Sequence, residues 1–156
     1  MSEKINDSNF EPRRHWMGVL ARADLADLER HWKRENGGVH YRHLRPPETG
    51  LVMARGRAGG NGQRFNLGEM TVTRCSLQFP DGIVGHGYVA GRDRRHAELA
   101  AAFDALLQRP ERQEQVKQHV IHSLEQKYIA EKEDRSKKAA ATKVDFYTMV
   151  RGEDAS

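Results

Sequence analysis

A chain of 156 residues, 31% of them charged, with a net charge of +4 and a single cysteine, suits one domain with a real core and is too short for two comfortable ones. One cysteine cannot staple a fold and cannot build a zinc site without other ligand types. No stretch offers the roughly 18 uninterrupted apolar residues of a membrane span, and the polar start MSEKINDSNFEPRRHW lacks the apolar run of a signal peptide, so the expectation is a soluble, cytoplasmic protein.

Residues 1–12 are expected to be a flexible N-terminus. From Arg13 to Arg34, Trp16, Met17, Leu20, Ala21, Leu25, Leu28 and Trp32 fall at helical spacing with charges between them, which predicts one amphipathic helix. Asn36-Gly37-Gly38 supplies its left-handed terminator. Val39–Arg45 alternates as a strand with Tyr41, His43 and Arg45 on one face, Pro46 to Gly50 breaks the chain, and Leu51–Arg57 resumes as a strand. The pattern predicts a hairpin on which Arg55 and Arg57, two apart, share a face.

The loop from Ala58 to Arg64 is rich in glycine. It lacks the Gly-Lys-Ser/Thr ending of a P-loop, and a strand follows it in place of a helix, so the helix N-terminus that would bind phosphate is missing. A ligand-covering loop or a plain connector is the reading.

Met70–Phe79 is rich in β-branched residues, with Thr71, Thr73, Cys75, Leu77 and Phe79 on one face. Pro80-Asp81-Gly82 is a turn in which Pro presets φ, Asp caps backbone and Gly accepts positive φ. The return strand Ile83–Ala90 puts Val84, His86 and Tyr88 on one face, and on the other a nearly bare row in which Gly85 and Gly87 leave room for a second backbone or a ligand. Cys75 is expected to sit reduced in this sheet.

Asp93 is a candidate N-cap for a helix to Leu107, with Leu99, Phe103 and Leu106 on its apolar stripe and alanines allowing close approach. Pro110 restarts a helix in which Val116, Val120, Leu124 and Tyr128 recur at i+4. That helix is expected to fray after Glu131. Residues 132–156 then read as a charged linker followed by a docking segment, because Val144, Phe146, Tyr147, Met149 and Val150 return the chain to apolar character and need cover. The fold class is thus α+β: an antiparallel sheet of about four strands in two hairpins, packed with an N-terminal helix and two later helices into one domain over 13–131, plus a C-terminal arm.

Charge is placed unevenly. Between Arg42 and Arg95 there are nine arginines, no lysine and four acids, a net of +5 by subtraction. The guanidinium fork grips phosphate or carboxylate with two parallel bonds, so an arginine-only block points to shaped recognition of anions more than to a solubilising surface. The polar cluster Arg55, Arg57, Glu69, Arg74, His86, Arg92, Asp93, His96 and Glu98 is therefore the candidate for substrate or subunit contact, with salt bridging on the core as the alternative. His96-Ala97-Glu98 has the His-x-Glu of zinc deaminases without the downstream Pro-Cys-x-x-Cys. A metal on Cys75, His86 and His96 has no spacing to enforce it, and structural histidines with a buried thiol are the better reading. No metal is expected, and the catalytic residues are not legible.

RHWMGVLARA (14–23), ETGLVMARGRAGG (48–60), FNLGEMTVTRC (65–75), GHGYVAGRDRRHAELAAAFDALLQ (85–108) and KVDFYTMVRGE (143–153) resemble PhnG, the G subunit of the bacterial carbon–phosphorus lyase system. The resemblance implies a role in phosphonate breakdown, in a core complex with the H, I and J subunits. It also implies that the chain acts with the H, I and L subunits to form alpha-D-ribose 1-methylphosphonate 5-triphosphate from ATP and methylphosphonate, releasing adenine. ATP is then a substrate of the complex, and no cofactor bound by this chain is expected. Two other classes stay open. A basic module for RNA or DNA is allowed by the interleaved Tyr, His and Arg of residues 41–45, although no nucleic-acid motif is present. A purely structural adaptor would turn the arginines toward acidic protein surfaces.

Overall fold

In the computed structural model, which describes residues 10–35, 38–57 and 62–153, and only the backbone of 10 and 143–153, two short helices open the chain. These are α1 (Phe10–Arg22) and α2 (Leu25–Glu35); β1 (Arg42–Arg57), β2 (Arg64–Gln78), β3 (Val84–Ala90) and α3 (Arg94–Leu107) follow. The chain then continues through α4 (Pro110–Val116), a π-helical turn (Lys117–His122) and α5 (Ser123–Glu153). The strands form one antiparallel sheet in the order β1-β2-β3. The α+β class stands, with three strands where the sequence pattern suggests four.

The strand count differs because Pro46 and Pro47 do not turn the chain. β1 runs straight through them, with the register against β2 slipping between His43 and Arg45 and again between Arg45 and Glu48. β1 is an edge strand, so a proline there need sacrifice no ladder bond, and bulges absorb the extra residues. The hairpin expected inside residues 39–57 is thus one strand, and its true partner is β2, across a connection whose residues 58–61 lie outside the described set.

The expected N-terminal helix is also two. It breaks at Ala23–Asp24, where the Asp24 carbonyl accepts Leu28 N–H (3.1 Å) and its carboxylate takes a hydrogen bond from Lys127 Nζ of α5 (3.2 Å). Aspartate favours such a helix-start position. The apolar spacing carries through the break in phase, so periodicity alone hides it. The flexible start assigned to residues 1–12 gives way at Phe10, where α1 begins; residues 1–9 are outside the described set, as are Asn36 and Gly37 of the terminator, whereas Gly38 has a φ of +79°.

Helix α3 is the centre of the core. Leu99, Phe103 and Leu106 are fully buried, as are Thr73, Cys75, Leu77 and Phe79 on the facing side of the sheet. The contact is close because β3 offers no side chains to it at two points. A Cβ on Gly87 would lie 2.1 Å from the Ala97 carbonyl oxygen, and one on Gly85 would lie 2.0 Å from that of Ala101. The room left by these glycines is filled by helix backbone. Trp32 of α2 packs edge-on against Phe103 (5.2 Å between centroids), and Trp16, Val19 and Leu20 of α1 close the same core.

Beyond α3, Pro110 starts α4 with Pro in the first turn. The buried row Val116, Val120, Leu124 has a strict i+4 spacing that would drift around an α-helix of 3.6 residues per turn, and the wider π turn between them offsets that drift. α5 does not fray after Glu131. It holds helix to Glu153, because residues 132–142 are mostly Ala, Lys, Arg and Glu, which favour helix, without Gly or Pro, and Lys138 pairs with Asp134 one turn away (3.1 Å).

A Gly87→Ala substitution should lower stability by about 3 kcal/mol or more, since the methyl group has to displace helix backbone that cannot rotate away. Urea denaturation measures it, and an unchanged midpoint would contradict the contact.

Candidate functional site

The sheet has two unlike faces, and they sort the nine candidate residues. Three of the nine serve the fold. Asp93 caps α3, accepting the His96 backbone N–H at 3.0 Å. The His96 ring donates from Nε2 to the Leu20 carbonyl (2.9 Å), which ties α3 to α1 and fixes the tautomer, because a carbonyl can only accept. Glu98 is the hub of a network: Oε1 accepts Tyr41 O–H (2.7 Å) and lies 3.2 Å from His43 Nε2, while Oε2 accepts Arg95 Nη1 (3.2 Å). Arg95 in turn grips Glu29 of α2 with two bonds, of 2.8 and 3.2 Å.

Electrostatics in that network follow from burial and contact. Burial first, and then the bond to Glu98, push the Tyr41 hydroxyl up to about 12. Arg95 is held above its ordinary value by its bond to Glu29, and the same contact keeps Glu29 below the usual carboxylate range. Cys75 is pushed up to about 11 by burial and by the Glu98 charge. It is therefore a neutral, inaccessible thiol on the helix-covered face, whereas His86 stands on the other face and His96 is engaged with Leu20. The three do not converge. Among the described residues no group of three or more His, Cys, Asp or Glu side chains is placed to hold a metal.

The exposed face gathers the rest of the chemistry. The register sets Arg45 beside Ser76, Glu48 beside Arg74, Arg74 beside Tyr88 and Ser76 beside His86. A shallow cavity of about 550 Å³ lies over Leu44, Arg45, Arg74, Ser76, His86 and Tyr88. A second of about 520 Å³ adjoins it, bordered by Glu48, Gly50, Val52, Arg74, Tyr88 and Arg94, so Arg74 and Tyr88 form the ridge between them. Arg74 meets Glu48 only at 3.8 Å, with both side chains more than half exposed, a geometry that leaves its guanidinium available. His86 Nδ1 is 2.8 Å from Ser76 Oγ.

Arg55, Arg57 and Glu69 lie apart from this hollow, exposed on the distal halves of β1 and β2, and Arg92 is exposed in the turn before α3. Of the nine candidates, then, the structure joins Arg74 and His86 at one surface and disperses the others. Sequence reasoning missed Arg45 and Tyr88 as members of that surface, since their meeting depends on a register that two bulges set. It also missed Asp104, whose signal was available as a lone acid inside the apolar run AFDALL. Val144, Phe146, Tyr147, Met149 and Val150 belong to α5, and their side chains lie outside the described residues.

The described residues thus form an α+β domain with one sheet face covered by helices and an arginine-bearing open one. The model of the family described as phosphonate metabolism protein PhnG matches residues 11–152, and the chain belongs to that family. It is similar to a protein of Rhizobium meliloti (strain 1021), alpha-D-ribose 1-methylphosphonate 5-triphosphate synthase subunit PhnG, with 43% identity over 150 residues that span 96% of this chain and 95% of the relative. No helix among the described residues is long and apolar enough to cross a membrane.

Because its folded pKa is raised above the ordinary 10.0, Tyr41 contributes stability that is fully present below pH 10 and is lost as the pH rises through about 12. In an ultraviolet titration of the native protein, one of the four tyrosines should ionise only near that upper value, and Tyr41→Phe should remove it. A titration completed at the ordinary tyrosine range before any unfolding would rule out the buried bond to Glu98.

Proposed function

We propose that this chain is a subunit of a synthase that forms alpha-D-ribose 1-methylphosphonate 5-triphosphate, working in the cytoplasm with H, I and L subunits and assembled in a core with H, I and J. ATP and methylphosphonate are the substrates of the assembly, and this chain holds no cofactor of its own. A phosphonate oxygen bonds to the anomeric carbon of the ribose, the bond from that carbon to adenine breaks with its electron pair, and the departing base takes up a proton. The observation that carries the reading is a likeness to a synthase subunit that extends over nearly the whole length of both chains.

The open face supports it chemically. Methylphosphonate and triphosphate are both polyanions, and Arg45 and Arg74 stand on adjacent strands where two guanidinium forks can take a phosphonate or phosphate group. His86 adds a ring nitrogen beside them, and Tyr88, 49% exposed, offers a flat surface for a ribose or base. Such a face orients an anion, and positioning is its contribution to rate.

The isolated chain should show no turnover of ATP with methylphosphonate. In the reconstituted assembly, Arg45→Ala combined with Arg74→Ala should lower product formation, followed by phosphorus NMR, by about tenfold or more, the loss of a charge-assisted anion contact. Subunit stoichiometry should stay unchanged. Full activity in that variant would leave the chain a structural adaptor.

The end of the chain fits the same role. Exposed helix from 131 to 142 carries Val144, Phe146, Tyr147, Met149 and Val150 toward a partner, where their apolar surface is covered. Deleting residues 142–156 should leave the melting temperature close to that of the full chain and weaken recovery of the other subunits in a pull-down. A truncated chain that aggregates alone would place the segment in its own core.

A further inference from the structure

The distal halves of β1 and β2 pair with each other and with nothing else in the described structure. β3 reaches only Val72 on β2, so residues 50–57 and 64–70 form a two-stranded ribbon, none of whose residues is buried. Ribbons of this kind are marginal in water without a third strand or a helix to cover an apolar face. Yet this one exposes Leu51 (64%), Met53 (50%), Phe65 (45%), Leu67 (65%) and Met70 (43%), five of the eight large exposed hydrophobic residues among those described.

The arrangement on the ribbon is specific. Register pairs Val52 with Met70 and Gly56 with Phe65 on one face. The slip between Ala54 and Arg55 coincides with Gly68 at a φ of +137°, which only glycine adopts without strain. Leu67 lies over Gly56, within 2.9 Å of where a Cβ would be, so Phe65, Leu67 and Met70 make one apolar strip. Arg55, Arg57 and Arg64 sit toward the far end against a single acid, Glu69, for a net of +2 by subtraction.

We propose that this ribbon is a docking arm that inserts into an apolar cleft, bordered by carboxylates, on a different subunit of the assembly. The inference rests on the subunit reading above and names the element that makes the contact. Exposed apolar surface of this density marks a protein interface. The charge chooses the occupant: two copies of the arm would bring three arginines against three, whereas a partner with acidic borders is attracted and oriented. The glycine bulge and Gly56 shape the strip so that Leu67 and Phe65 project together as anchors.

Phe65→Ser with Leu67→Ser, co-produced with the other synthase subunits and purified by a tag on one of them, tests it. Wild-type chain should be recovered in the assembly, and the double variant at least about tenfold less, as expected for loss of two anchor residues, with its melting temperature unchanged. Wild-type arm amides should also gain hydrogen-exchange protection in the assembly. That protection decides the matter should the variant fold poorly, and its absence from residues 50–57 and 64–70 overturns the proposal. So does full recovery of a folded variant. Failure of the wild-type chain itself to join the assembly would instead overturn the subunit reading and the arm with it. Sedimentation showing arm-dependent dimers, or arm-dependent binding to phosphatidylserine vesicles with subunit recovery intact, would assign the arm to a second copy or a lipid surface and overturn the protein cleft.

Discussion

Asp104 has no exposed surface, and five donor atoms aim at its two oxygens: Arg13 Nε and Nη2 (3.1 and 2.8 Å), Trp16 Nε1 (2.9 Å), the His86 backbone N–H (2.9 Å) and, more distantly, Gln108 Nε2 (3.4 Å). Through them one side chain of α3 fixes the roll of α1 and the free edge of β3. A buried carboxylate is tolerable only when paired and hydrogen-bonded, and removing one partner from such a pair generally costs about 3–5 kcal/mol. Against a total stability of about 5–15 kcal/mol for an ordinary domain, that single cluster decides whether the layers stay in register. It also sets the pose of His86, whose backbone is held from the helix side while its ring faces the open side.

From this follows the division of labour between the two faces of the sheet. The helix face is closed by contact so tight that β3 must be bare at Gly85 and Gly87, and its polar groups are committed to one another, as in the Tyr41, Glu98, Arg95 and Glu29 chain. On the opposite face Arg74 meets Glu48 only at 3.8 Å, and Arg42 bonds to the neutral Gln78 (2.7 and 3.2 Å). Arg95 spends its fork on Glu29 and Glu98, and the sheet separates it from Arg74 and Arg45, whose forks are not committed to those acids.

The hairpin about Pro80 to Gly82, the glycine-flanked His86, the cap at Asp93 and the alanine-rich α3 were legible in the sequence, because each is a local rule with a local signature. What was not legible depends on distant partners. Pro46 and Pro47 read as a chain break, and only knowing that β1 lies at an edge turns them into a bulge. The break at Asp24 is set in part by Lys127, about a hundred positions away, and leaves the apolar phase intact. Glu98 and His96 looked like chemistry because polar clusters near a glycine-rich hairpin resemble sites; their partners Tyr41 and Leu20 come from other elements. Family resemblance supplied the pathway, while the roles of individual residues had to wait for the fold.

Both lateral borders of the sheet are blunted. On the β3 side the main chain is occupied by Asp104 and by Gln108, whose Nε2 donates to the Val84 carbonyl at 2.8 Å. On the β1 side Pro46 and Pro47 interrupt the row of donors, and Arg55 and Arg57 flank the stretch beyond. Strand-to-strand growth into fibres needs a long, flat, unoccupied border, and beside β3 and around Pro46 and Pro47 this sheet does not offer one. Where the prolines and the α3 side chains occupy the main chain, access to this sheet is through its flat sides, where side-chain fit and not backbone pairing decides what can lie against it.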